Sequence, residues 1–178
     1  TVTTPSVTSK TINNTCVKER IGSDAFTDED PGPGAWLEAA EATYNESRDR
    51  WDVETCNDIG PLPLTDSRST LKAYINDLDD FGGTAGHMGV AWGWYLLSPN
   101  WQDIWPEAAK PWAYDEINVT KAVILMTDGD FNANHPTASK NSFRQAMDLC
   151  DAMKAEPSNV QIYTVGFQVP SYVQKTSD

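Results

Sequence analysis

Residues 121–132 read KAVILMTDGDFN, an apolar run from Ala122 to Met126 that ends on Thr127, Asp128 and Gly129, with Asp130 and Asn132 following at alternate positions. A carboxylate at the end of an apolar strand can hold a hard cation. Mg²⁺ takes oxygen ligands in near-octahedral geometry and keeps several of its waters. One carboxylate, with hydroxyls from neighbouring loops, meets that need, and Gly129 lets a ligand approach the backbone. Capping the following loop is an equally good use of Asp128. Asp128, Asp130, Asn132 and Asn134 also alternate like the front of an EF-hand loop. That pattern breaks at Ala133, where Gly is needed, and at Ser139, where Glu is needed, and a strand precedes it rather than a helix. FGGTAGHMG, 81–89, is the second loop of interest. A Gly-rich turn before a helix can cradle phosphate, but neither G-x-x-x-x-G-K-[ST] nor G-x-G-x-x-G is present. Thr84 can N-cap the following helix or offer its hydroxyl as an oxygen ligand. The acidic run Asp28, Glu29 and Asp30 is another place a cation could sit.

These loops need elements to hold them. Residues 121–127 and QIYTVGF, 161–167, read as two buried strands. Between them a helix over about 139–155 places Phe143, Met147 and Cys150 inward, at i, i+4, i+7. Strand, helix, strand at this spacing predicts a βαβ unit and a parallel sheet. In such sheets ligands bind beyond the carboxyl ends of the strands, where Asp128 falls. Upstream, Leu71, Ile75 and Leu78 mark an amphipathic helix over 69–79. GHMGVAWGWYLL, 86–97, is apolar all round and predicts a buried helix. Its Gly86, Gly89 and Gly93 share a face that allows close approach. Met88, Trp92 and Tyr95 share another face. Residues 1–15 carry a weak edge-strand signal, and 16–21 are a strand candidate. The segment 22–68 is mostly loop, with "TDEDPGPGAW" and "GPLPLTDS" as breakers and a short helix around 35–47. Residues 98–117 form an aromatic, Pro-containing connection.

Composition narrows the function. The 178 residues suffice for one domain, and seven Trp supply much of the buriable area of a chain only 39% apolar. A formal charge of −13 argues against a nucleic-acid partner. No stretch approaches the ~18–20 apolar residues of a membrane span, and no signal peptide is visible. Thr1 is not an initiator Met, which marks the chain as processed or as a fragment. Cys16 and Cys56 flank the loop-rich stretch, and a bridge between them would staple it. A loop of about 40 residues closed this way is worth about 4 kcal/mol on the chain-entropy model. The bridge would also place the protein outside a reducing cytosol. Cys150 reads as a buried small apolar residue rather than a reactive thiol.

GGTAGHMGVAWGWYLLSPNW (82–101), KAVILMTDGDFN (121–132) and IYTVGF (162–167), in that order and spacing, resemble a von Willebrand factor type A (vWA) domain. They look most like the TadG-type proteins of bacterial Tad (Flp) pilus assembly; CVKERIGSDAF, 16–26, fits the same family. The resemblance implies a Rossmann-like α/β parallel sheet flanked by helices, one partial domain over 1–178, with 22–68 as a loop-rich, disulfide-stapled insertion. It implies a metal-ion-dependent adhesion site in which Thr84 matches the second loop and Asp128 the third, with Asp130 and Asn132 in second rank. The D-x-S-x-S of the first loop has no match here and would lie upstream of Thr1. Mg²⁺ or Mn²⁺ would be held, weakly or not at all by this chain alone, with Ca²⁺ an alternative. The open coordination position would take a carboxylate from a protein partner, a pilus-assembly component in this case. That chemistry is binding rather than turnover. The location implied is the periplasmic or extracellular side of the cell envelope, in a parent anchored to the membrane by other parts.

Two rival readings remain at this stage. One is a metal-dependent hydrolase using Asp128, Asp130 and His135. It would need a set of groups with perturbed pKa values in one pocket. No H-E-x-x-H is present, and His87 and His135 are the only histidines. The other is a carbohydrate- or peptide-binding module using Trp101, Trp105 and Trp112. Packing over the glycine-faced helix is the plainer role for those side chains.

Overall fold

The computed structural model describes residues 16–40, 42–53, 59–79 and 83–167. In chain order the elements are β1 (Ala42–Asn45), β2 (Arg50–Val53), α1 (Arg68–Asp77), α2 (Gly86–Leu97), β3 (Ala122–Thr127), α3 (Ser142–Lys154) and β4 (Gln161–Gly166). The architecture is mixed α/β. β3 and β4 are parallel neighbours, in register from Ala122 opposite Gln161 to Thr127 opposite Gly166. α3 is their crossover helix, as the strand–helix–strand spacing predicts. It starts where Asn141 accepts a hydrogen bond from the Arg144 amide at 2.9 Å, an N-cap that satisfies one of the free first-turn donors. α1 starts the same way, on Ser67 and the Thr70 amide.

α2 and α3 pack against each other and against one face of the sheet. The core they enclose is Val90, Trp94, Tyr95, Trp101, Ala146, Leu149, Met153 and Val160, with Val123, Leu125 and Ile162 of the strands packed onto it. Two of the three glycines of α2 lie against the sheet side. A Cβ on Gly86 would meet the Phe131 ring at 2.3 Å, and one on Gly93 would meet Val123 at 3.7 Å, whereas Gly89 faces open space. The connection 98–117 folds back onto α2. Trp101 is buried with its ring stacked on Tyr95, 3.9 Å between centroids.

Four expectations need correction. The region 35–47 holds no helix among its described residues; it leads into an antiparallel hairpin, β1–β2, joined by residues 46–49 with Asp49 at positive φ. Thr43, Tyr44, Trp51 and Val53 are β-branched or aromatic residues that favour strands, and Trp51-Asp52-Val53 has a period of two. Residues 16–21 are not a strand. They contribute a single antiparallel bridge, Val17 to Ala39. The inward face of α3 is Ser142, Gln145, Ala146, Leu149 and Met153, whereas Met147 is exposed. That face recurs at i, i+3, i+4, i+7 and i+11, and two polar residues in it hid it from a purely apolar reading. The strands are not buried on both faces: β3 alternates between α2–α3 and solvent, and β4 is exposed except at Ile162, because helices cover one face only. Residues 1–15 and Cys56 lie outside the described residues. Cys16 is buried and is not free, while Cys150 is a free, half-buried thiol whose pKa burial pushes up.

Candidate functional site

At the C-terminal end of β3 the chain turns on hydrogen bonds within residues 127–130. Thr127 Oγ1 accepts from the Gly129 amide at 3.0 Å, and Gly129 turns the chain at φ +90°, a conformation that favours glycine. Asp128 Oδ1 accepts from the Asp130 amide at 3.3 Å. The turn before α2 lies against this loop. Thr84 N donates to Asn132 Oδ1 at 2.8 Å, and Thr84 O accepts from the amides of Asn132 at 3.0 Å and Ala133 at 3.1 Å. Gly83 fits there because of space rather than dihedral: a Cβ would stand 3.0 Å from the Ala133 Cβ, and its φ is not positive. Gly82 lies outside the described residues. Thr84 does not cap α2; Ala85 holds that position without a side-chain bond.

The structure thus brings the Thr84 turn to the Asp128–Asn132 loop at one end of the parallel pair. Thr84, Asp128, Asp130 and Asn132 are all exposed. As a cation shell the set is thin. Asn132 Oδ1 is already used by Thr84 N, and one Asp128 oxygen already accepts from Asp130. No group of three or more His, Cys, Asp or Glu placed to hold a metal occurs among the described residues. One carboxylate and one hydroxyl do not fit a metal on their own. Asp28, the other cation candidate, is occupied as an anchor. Its Oδ2 accepts from Ser98 Oγ, from Tyr114 Oη at 2.5 Å and from Asn100 Nδ2 at 3.2 Å. Burial first and Asp28 second push the Tyr114 pKa up to about 12. The acidic stretch 28–30 is therefore held to the core at Asp28.

The rival sites are not assembled. His135 Nδ1 accepts from Thr137 N at 3.2 Å, and its Nε2 lies 3.9 Å from Glu38, so its ring is turned to other partners than Asp128 or Asp130. Trp101 is buried, Trp105 donates to Tyr95 O at 2.9 Å, and only Trp112 of the three stands exposed.

A polar chain that the sequence reading missed runs through the interior. Glu19 Oε2 pairs with His87 Nε2, and His87 Nδ1 meets Ser142 Oγ at 2.7 Å. Glu19 Oε1 accepts from the His135 amide at 2.7 Å and from Gln145 Nε2 at 3.4 Å. Glu, His and Ser in line resemble a nucleophile–base–orienter set. All three are buried, and Ser142 is sealed at 0% exposure, which leaves no path for a substrate. Their contacts instead tie the segment 16–20 to α2, α3 and the 131–136 loop. Burial holds the His87 pKa below its usual value, against the upward pull of Glu19. The available signal was a lone His in an otherwise apolar helix. Beside this chain Arg20 is buried with no hydrogen-bond partner on its three guanidinium nitrogens, its carbon 5.3 Å from the ring centres of both Tyr95 and Trp101.

Compared with protein-family models, curated proteins and solved structures, the chain matches none. No helix among the described residues is long and apolar enough to cross a membrane.

Proposed function

We propose that the chain is a non-catalytic protein-interaction module of the metal-ion-dependent adhesion type, a partial vWA-like domain of a Tad/Flp pilus-assembly protein in the cell envelope. The observation that carries this reading is the junction of the Thr84 turn with the Asp128 loop at the carboxyl end of a parallel strand pair, made through Thr84, Asn132 and Ala133. That is where an α/β sheet places its binding site. Thr84 and Asp128 form the rim of the surface; they would supply a hydroxyl and a carboxylate to a Mg²⁺ or Mn²⁺ completed by a D-x-S-x-S loop outside this chain, and the ion would supply an attraction for a partner carboxylate. Asp130 and Asn132 shape the loop by backbone and side-chain hydrogen bonds. The 22–68 segment is an insertion stapled by a Cys16–Cys56 bridge, a pairing supported by the buried, engaged state of Cys16.

Calorimetric titration of Mn²⁺ against this chain, and against a longer form carrying the upstream strand, tests the reading. The short chain binds at millimolar concentrations or not at all, as in the weakest protein cation sites. The longer form binds tightly and loses that gain on Asp128→Ala. Tight binding by the short chain that survives Asp128→Ala overturns the site.

A further inference from the structure

The β3–β4 sheet has one covered face and one bare one. Ile124, Met126, Tyr163 and Val165 are register neighbours on the bare face, exposed at 65%, 66%, 55% and 44%. Parallel sheets are ordinarily covered on both faces, because every strand in them is apolar on both sides. A second apolar surface also stands unpartnered. α1 has no buried residue, and its stripe of Leu71, Ile75 and Leu78 is exposed at 39%, 62% and 54%.

The chain path relates the two. Just before α1, Leu64, Thr65 and Asp66 share a cleft of about 740 Å³ with Val119, Thr120, Lys121 and Ala122, at the N-terminal end of β3. Just after it, Thr84 is hydrogen-bonded to Asn132 and Ala133, at the C-terminal end of β3. The chain before α1 therefore lies beside the start of β3, the turn after it is bonded at the end of β3, and α1 falls between these two points. The six residues of β3 span about 20 Å at ~3.3 Å each. The ten of α1 span about 15 Å at 1.5 Å each, comparable to the length of β3. α2 and α3 already occupy the covered face. Lengths, end points and apolar stripes match on the bare one. A second copy is a poor occupant, since each chain carries a formal charge of −13.

We propose that α1 is a strap that closes onto the bare sheet face, seating Leu71, Ile75 and Leu78 on Ile124, Met126, Tyr163 and Val165 and shutting the cleft at the start of β3. The Tyr74 hydroxyl donates to Gly60 O at 2.9 Å and ties α1 to the segment that leads into it.

Bifunctional thiol cross-linking in a Cys150→Ser background tests this. Ile75→Cys with Met126→Cys is joined within one chain by a short bis-maleimide. Ala73→Cys with Met126→Cys, from the opposite side of α1, is joined in traces at most. Equal yields from the two pairs, or joining only between chains, overturn the strap. A second readout does not depend on the cross-link. Met126→Cys alone reacts with a monofunctional maleimide at least ~10-fold more slowly than the same variant carrying Ile75→Asp, as expected when the open form is a tenth of the population or less. Equal rates overturn the proposal even if one variant of the cross-linking set fails to fold.

Discussion

Replacing His87 by Ala tests the interior polar chain directly. The change removes the partner of Glu19 Oε2 and the acceptor at Ser142 Oγ, both buried. Deleting the neutral imidazole leaves one oxygen of a buried carboxylate and one buried hydroxyl without their partner, a cost of about 1–3 kcal/mol for each group. Glu19 keeps the His135 amide and Gln145 through its other oxygen, which places the summed cost toward its lower end, about 3 kcal/mol. Against a total stability of about 5–15 kcal/mol, that is a large fraction and easily measured. Urea unfolding followed by the fluorescence of the seven Trp residues is the assay. The pH dependence adds a sign. Burial lowers the His87 pKa in the folded chain, so the unfolded chain takes up this proton first. Stability from this group is intact above about pH 6.5 and falls as pH drops below it, by at most about 1.4 kcal/mol per pH unit. His87→Ala has no such titration. The gap between wild type and variant is therefore flat above pH 7 and narrows below about 6.5. A cost under about 1 kcal/mol at pH 8, or a gap that widens on acidification, refutes the account of His87 as a buried neutral link.

Two further outcomes follow from single residues. Gly86→Ala pushes a Cβ into the Phe131 ring and costs about 1–3 kcal/mol by urea unfolding, and Phe131→Leu recovers part of that; Gly89→Ala meets nothing and gains about 0.5–1 kcal/mol of helix propensity, so equal effects at the two glycines would remove the close-approach explanation. Peptide mapping under non-reducing conditions finds Cys16 joined to Cys56, with Cys150 alkylated only after unfolding; two alkylatable thiols at 16 and 56 in the native protein would remove the staple.

The features legible in the sequence were those written in local periodicity. The boundaries of α2 follow from GHMGVAWGWYLL bounded by Ala85 and Ser98, and the parallel pairing of β3 with β4 follows from two apolar runs around one amphipathic helix. The meeting of Thr84 with the Asp128 loop was legible only through the resemblance, because no local rule links residues so far apart in the chain. The polar interior was illegible for a related reason. Glu19 sits in a segment with no regular structure; its partners His87, His135 and Gln145, and the Ser142 that bonds His87, come from three other stretches. Each alone reads as a surface residue, and burial becomes tolerable only when all five are assembled. The same logic explains the misread face of α3. Ser142 and Gln145 face inward because the Glu19 chain is there to receive them, so the helix presents a mixed polar and apolar face to the core. A polar residue turned inward therefore points to its partner, and in this fold the partners lead to the segment 16–20. Among the described residues its backbone pairing is one isolated bridge, Val17 to Ala39, while its Glu19 joins α2, α3 and the 131–136 loop. It is side-chain chemistry, more than backbone pairing, that fixes the N-terminal segment beside the loop next to Thr84.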